Sequence, residues 1–215
     1  MKKFIRSGLV VAVLAAFALA VPAVTFAALT PNLTQAVNPG VLSADIFQTD
    51  GVTPVASPSV GFSAVNKSFS CQTSTGTLGD SNNKLYVSNL GNNNGFNLAI
   101  AAIGGAATTW TDGGSNTYKF NDATGSGCTN GQLSVDPSVG TITADCNSSC
   151  GGVTVSKGAS FSFISGSKDS IVLMSTGTAG GWKGYLTGVA LSQKIPANQA
   201  NANYSLGMTL TATAQ

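Results

Sequence analysis

The chain has 215 residues, with ten Lys and Arg against eight acidic groups, all of them Asp, and no His. Only 8% of it is charged while 43% is hydrophobic, which excludes the charge-rich, apolar-poor composition of a disordered chain. Without an imidazole, Ser-His-Asp and Cys-His catalysis are excluded. Arg6 is the only Arg, so there is no basic stripe to neutralise nucleic-acid phosphates.

The N-terminal residues Met1 to Arg6 carry three cations, Gly8 to about Val21 is an apolar run, and Thr25-Phe26-Ala27 follows Pro22 with a small-residue end. That is the order of a secretory signal peptide, which predicts a leader over residues 1–27 and a mature chain from Ala28. Retained, the same run would just reach across a bilayer, and it is the one route to the membrane in this sequence. No Cys lies beside it, which excludes a lipoprotein anchor. Removing Lys2, Lys3 and Arg6 leaves seven Lys facing eight Asp. Residues 28–215 are enough for a single β domain with a sizeable core.

In chain order, short strands are predicted at Val41 to Phe47, Val60 to Phe69, Leu85 to Asn89 and Phe96 to Ala102. The last alternates Phe96, Leu98, Ile100 and Ala102 with Asn97, Ala99 and Ala101. Further runs lie at Tyr118 to Phe120, Leu133 to Val135, Thr141 to Ala144, Phe161 to Phe163, Ile171 to Met174 and Tyr185 to Ile195. The C-terminus alternates Tyr204, Leu206, Met208, Leu210, Ala212 and Ala214 with Ser, Gly and Thr, the period of a half-buried strand. Asn38-Pro39-Gly40, Thr49-Asp50-Gly51, Asn92 to Gly95, Asp112-Gly113-Gly114 and Asn198 to Asn203 punctuate these runs as turns. No long 3.6-residue stripe and no repeat interrupts them. The expected fold is an all-β sandwich of many short, mainly antiparallel strands.

Four cysteines in an exported chain predict two disulfides. Cys146 and Cys150 are close enough to close a local loop, leaving Cys71 with Cys128; Cys71 with Cys150 and Cys128 with Cys146 is the other pairing. Zinc is disfavoured, since there is no His and no Cys-x-x-Cys pair. Asp112, Asp122, Asp136 and Asp145 cluster in sequence and could serve a glycosidase as acid and base, but Asp112 before Gly113-Gly114, Asp122 after Asn121 and Asp136 before Pro137 sit in ordinary turn chemistry. The same Asp, Asn and Gly residues could offer oxygens to calcium, though without an Asp-x-Asp-x-Asp-Gly loop; no other cofactor is expected. Adjacent Ser156-Lys157 and Ser167-Lys168 would point to opposite faces of a strand, which argues against a Ser-Lys nucleophile. Trp110, Tyr118, Trp182 and Tyr185 are candidate stacking aromatics for a sugar ring, or core. Sequons begin at Asn32, Asn66, Asn147 and Asn203.

The order Ser74-Thr-Gly-Thr-Leu-Gly79, Lys84-Leu-Tyr-Val-Ser-Asn89, Gly95-Phe-Asn-Leu-Ala-Ile100 and Leu191-Ser-Gln-Lys-Ile-Pro-Ala197, followed by Tyr204 to Ala214, resembles the WxL-type surface domain of bacterial cell-wall-associated proteins. The likeness covers roughly residues 73–102 and 191–215. Phe96-Asn97-Leu98 stands at the first Trp-x-Leu, with Leu98 alone matching, and Ala212-Thr213-Ala214 at the second. The resemblance implies an exported, mostly β protein that attaches non-covalently to the cell wall. The expectation is a secreted, surface-associated structural or adhesive protein, not an enzyme, whose partners are cell-wall or surface polysaccharide or other surface proteins. A carbohydrate-binding module and a fimbrial or filament subunit are the alternatives.

Overall fold

The computed structural model describes residues 40–91, 94–146, 150 and 152–215, all within one unit, Asn38–Gln215. The predicted leader and the sequons at Asn32 and Asn147 lie outside the described residues. Fourteen strands are described: β1 (Leu42–Phe47), β2 (Gln72–Leu78), β3 (Lys84–Asn89), β4 (Phe96–Ala102), β5 (Thr109–Thr111), β6 (Thr117–Lys119), β7 (Gln132–Asp136), β8 (Thr141–Ala144), β9 (Ser156–Lys157), β10 (Phe161–Ser162), β11 (Ser170–Thr176), β12 (Trp182–Thr187), β13 (Val189–Ile195) and β14 (Met208–Ala214). Single 3-10 turns at Gly105–Ala107 and Pro137–Val139 are the helical content of the described residues.

The strands form three four-stranded antiparallel sheets, ordered β1-β3-β12-β8, β10-β7-β13-β2 and β14-β4-β11-β9, with β5-β6 as a ribbon. This is the all-β sandwich architecture, here with three sheets lining one core. The inner row of β4 shows why: Phe96 and Leu98 are fully buried and Ile100 and Ala102 nearly so, while Asn97, Ala99 and Ala101 are half-exposed. Period-two patterning therefore sets the face each side chain takes. Leu85, Phe120, Phe163, Leu173 and Leu186 complete the centre.

Two close approaches shape the crossings between sheets. Gly95 sits against the Thr176 carbonyl, where a Cβ would lie 1.6 Å from the oxygen, so only glycine lets the chain enter β4 there. Gly188, at φ 76, ends β12 and starts β13 in a different sheet. The apolar run from Tyr185 to Ile195 is thus two strands and not one, because the left-handed residue breaks the extended backbone.

Three further differences from the sequence reading have local causes. Residues 60–69 form no strand; only Phe62 bridges to Gly76, and Ala64, Val65 and Phe69 are exposed, so the segment has no continuous face to bury. Strand β2 went unread because Thr73, Thr75 and Thr77 face outward and only Ser74 and Leu78 are buried. Tyr204 and Leu206 pack on the core ahead of β14 without joining its ladder.

Both disulfides are present, Cys71 with Cys128 and Cys146 with Cys150, and no cysteine is free. The first spans 57 residues and the second 4. Loop-closure entropy assigns the long span ~4 kcal/mol and the short one ~2 kcal/mol. Replacing Cys71 and Cys128 by Ser should accordingly lower the denaturant midpoint about twice as much as replacing Cys146 and Cys150. Equal losses would show that the short loop is held as firmly as the long one.

The half-burial of β14 gives a second expectation. Leu98→Ala should cost ~2–5 kcal/mol, and Leu210→Ala about half of that, since Leu210 leaves less apolar area on exposure. Urea unfolding of the two variants measures this, and a larger loss at Leu210 would contradict the placement of β14.

Candidate functional site

Trp110, Tyr118 and Trp182 do not form an exposed platform, since they are 8%, 9% and 2% accessible. Trp182 packs on Phe96 with ring centroids 5.5 Å apart, and belongs to the core. Trp110 and Tyr118, on the two strands of the β5-β6 ribbon, stack at 5.9 Å and 12°. Their burial follows from their size. The Trp110 Nε1–H donates to Gln193 Oε1 at 2.8 Å, and Gln193 Nε2 donates to the Lys194 carbonyl at 2.7 Å, so the buried amide of β13 is satisfied. Phe62 meets Trp110 edge-on at 5.4 Å and Tyr204 meets Tyr118 edge-on at 5.0 Å. The two remaining site positions, Phe96 and Leu98, are fully buried in β4 and face no solvent.

Trp110 and Tyr118 lie in the lining of a cleft of about 450 Å³, within the size range of ligand sites. Residues 60–68 form one wall, and Pro196 with residues 199–204 the other. Both walls are tethered. The Ser63 N–H donates to the Thr75 carbonyl at 2.8 Å, the Asn198 N–H to the Ser68 carbonyl at 2.8 Å, and Cys71 is bonded to Cys128. Asn198, where the two walls are joined, takes φ 61, a conformation Asn tolerates better than most residues. Tyr204 Oη donates to the Ala200 carbonyl at 3.0 Å and accepts from Gln199 Nε2 at 2.8 Å.

The lining holds one cation, Lys67, and no carboxylate. Asn66, Gln72, Asn201 and Asn203 line it with side-chain amides that make no hydrogen bond within the described residues. The sequence marks Asn66 only as a sequon, Asn203 as a sequon and turn residue, Asn201 only as part of a turn and Gln72 not at all, because amides scattered over residues 66–203 share no spacing that marks a common site. Beyond Phe62, Trp110 and Tyr204 opens an apolar crevice of about 310 Å³, bordered by Ile46, Ile100, Leu133, Leu191, Met208 and Leu210.

Three of the four clustered carboxylates, Asp112, Asp122 and Asp136, cap their own turns, and Asp145 does not. Asp112 accepts from the Asn116 amide at 2.6 Å and from the Gly114 N–H at 2.8 Å; the Asn116 bond contributes most to lowering its pKa. Asp122 is buried and accepts from the Thr124 N–H, the Thr124 hydroxyl and the Gly127 N–H, with the Thr124 N–H foremost in holding its pKa down. Asp136 caps the Pro137–Val139 turn through the Ser138 N–H at 3.0 Å. Asp145 accepts from the Tyr86 hydroxyl, with Lys183 Nζ at 3.7 Å. Burial, and then that bond, raises the Tyr86 pKa. Lys157 Nζ donates to the Gly140 carbonyl at 3.0 Å and Lys168 lies 4.1 Å over the Phe161 ring, so both candidate Ser-Lys pairs have their lysines engaged elsewhere. Among the described residues, no three His, Cys, Asp or Glu groups are placed to hold a metal ion.

Comparison with protein-family models, curated proteins and solved structures returns no match.

The turn carboxylates and buried tyrosines fix the pH response. Asp50 is held at about 2, chiefly by the Thr53 hydroxyl, and Asp112 and Asp122 are also lowered. Unfolded carboxylates titrate near ~4, so these groups stabilise fully above that pH and lose the contribution as pH falls through the folded values. Burial raises Tyr86 and Tyr118, so their contribution is full below about pH 10 and is lost as pH rises further. Thermal melts should show Tm falling below about pH 4 and above about pH 10. Asp122→Asn should lower Tm at neutral pH and shrink the acid fall. An acid limb unchanged in this variant would rule out the assignment to Asp122.

Proposed function

We propose that the protein is exported and acts at the cell surface as a structural or adhesive component, binding non-covalently to envelope polysaccharide or to other surface proteins and doing no catalysis. The tethered, amide-walled cleft is the observation that carries this reading. It offers hydrogen bonds and an aromatic base but no carboxylate to move a proton. Two disulfides point to an oxidising compartment, and no helix among the described residues is long and apolar enough to cross a membrane. The leader-like start of the sequence agrees with export.

The WxL-type resemblance enters as support for the scaffold. Its first signature position falls on the buried Phe96-Asn97-Leu98 segment of β4, so wall attachment in this chain would use another surface. A filament-subunit reading is favoured by one feature: β14 is an edge strand of uncharged residues, next to the apolar crevice, and such an edge can accept a neighbouring strand.

Fractionation of the source cells tests the proposal. The protein should sediment with the envelope and be released by urea without reductant or protease. Recovery in the cytosol would refute it, and release only as a ladder of multimers would move the reading to the filament subunit.

A further inference from the structure

We propose that the cleft between residues 60–68 and 196–204 binds a stretch of uncharged polysaccharide. This rests on the surface-binding reading above and names the ligand of that site. Charge decides the class first. A phosphate, sulfate or uronate chain calls for several charge-assisted donors, and a cationic ligand calls for carboxylates; the cleft supplies Lys67 alone and no carboxylate.

Hydrogen-bond character narrows it further. A sugar hydroxyl both donates and accepts, and each carboxamide offers both functions from one side chain. Asn66, Gln72, Asn201 and Asn203 bring four such groups to the lining with no partner within the described protein. Gln199, also in the lining, donates through Nε2 to Tyr204 Oη and keeps its Oε1 as an acceptor without a partner among the described residues. Apolar contact for the C–H faces of a sugar ring comes from Phe62 and Tyr204, both half-buried, over the Trp110-Tyr118 stack.

A peptide strand fits less well. The outer edge of β2, which a peptide would extend, is already engaged where the Ser63 N–H reaches the Thr75 carbonyl and Ser74 Oγ donates to the Ser63 carbonyl. Those contacts, with Cys71–Cys128 at the end of the wall, hold the cleft open before a ligand arrives and reduce the ordering that binding requires.

Affinity electrophoresis of the full chain with its disulfides intact, through gels containing dextran, laminarin, mannan or galactan, tests the proposal. At least one should retard the protein, equally at low salt and at ~0.5 M salt, since no ion pair is involved. Gln72→Ala with Asn201→Ala should weaken retardation about tenfold, the size of two neutral hydrogen bonds. The Tm should stay unchanged, and Thr213→Ala on remote β14 serves as the control. No retardation in any of the four, retention confined to polygalacturonate or an unstructured peptide, steep salt dependence, or a double variant that binds as tightly as the parent would each overturn the assignment. Sedimentation with isolated envelopes separates the two readings. Envelope binding without neutral-glycan binding removes only the ligand class, whereas failure of both removes the surface-binding reading as well.

Discussion

The inner row of β4 is where the three sheets meet. Phe96 packs on Trp182 from the β1-β3-β12-β8 sheet, and Ile100 shares the apolar crevice with Leu133 and Leu191 from the β10-β7-β13-β2 sheet. Strands β14 and β11 flank β4 within its own sheet. A one-residue slip of β4 would turn Asn97, Ala99 and Ala101 inward and remove all of these contacts together. That single register therefore couples the sheets, and the glycine at position 95 is what lets the chain enter it.

Scarcity of charge governs the rest of the surface. A chain with one ion pair among its described residues, Lys183 with Asp145, obtains order from neutral and singly charged hydrogen bonds. The aspartates are spent on turns: Asp50, Asp112, Asp122 and Asp136 each accept backbone N–H groups from two to five residues further on. Lysines behave similarly, with Lys84 donating to the Thr49 carbonyl and Lys194 to the Ser126 carbonyl. Most of these charged side chains are thus engaged in the loops they stabilise.

Legibility in the sequence followed the physics of each element. Strand β4 and the Thr/Leu alternation of β14 were readable because one face is buried and the other is not. Strand β2 was not, since Gly76 stands in its inward row and threonines fill the other, leaving little apolar period to detect. The segment 60–69 misled for the opposite reason: Val60, Phe62, Val65 and Phe69 are apolar, yet only Phe62 and Val60 find the core. Of the candidate aromatics, composition could nominate Trp110 and Tyr118 but not their depth, because burial depends on Phe62 and Tyr204 arriving from segments distant in sequence.

The cleft follows from that same failure of residues 60–69 to form a strand. Had the segment paired fully with β2, the sheet would have gained a fifth strand and left no wall standing away from it. Instead the segment touches β2 at Phe62 and Ser63, diverges, and is brought back by the Ser68 carbonyl and Cys71. A wall held at both ends but free of ladder hydrogen bonds between them presents its amides to solvent, while Phe62 anchors its underside on Trp110. Recognition by hydrogen bonding requires little more than such a rigid, neutral concavity. The titratable side chains in the lining are Lys67, Tyr118 and Tyr204, so its character is set by amides and aromatic rings.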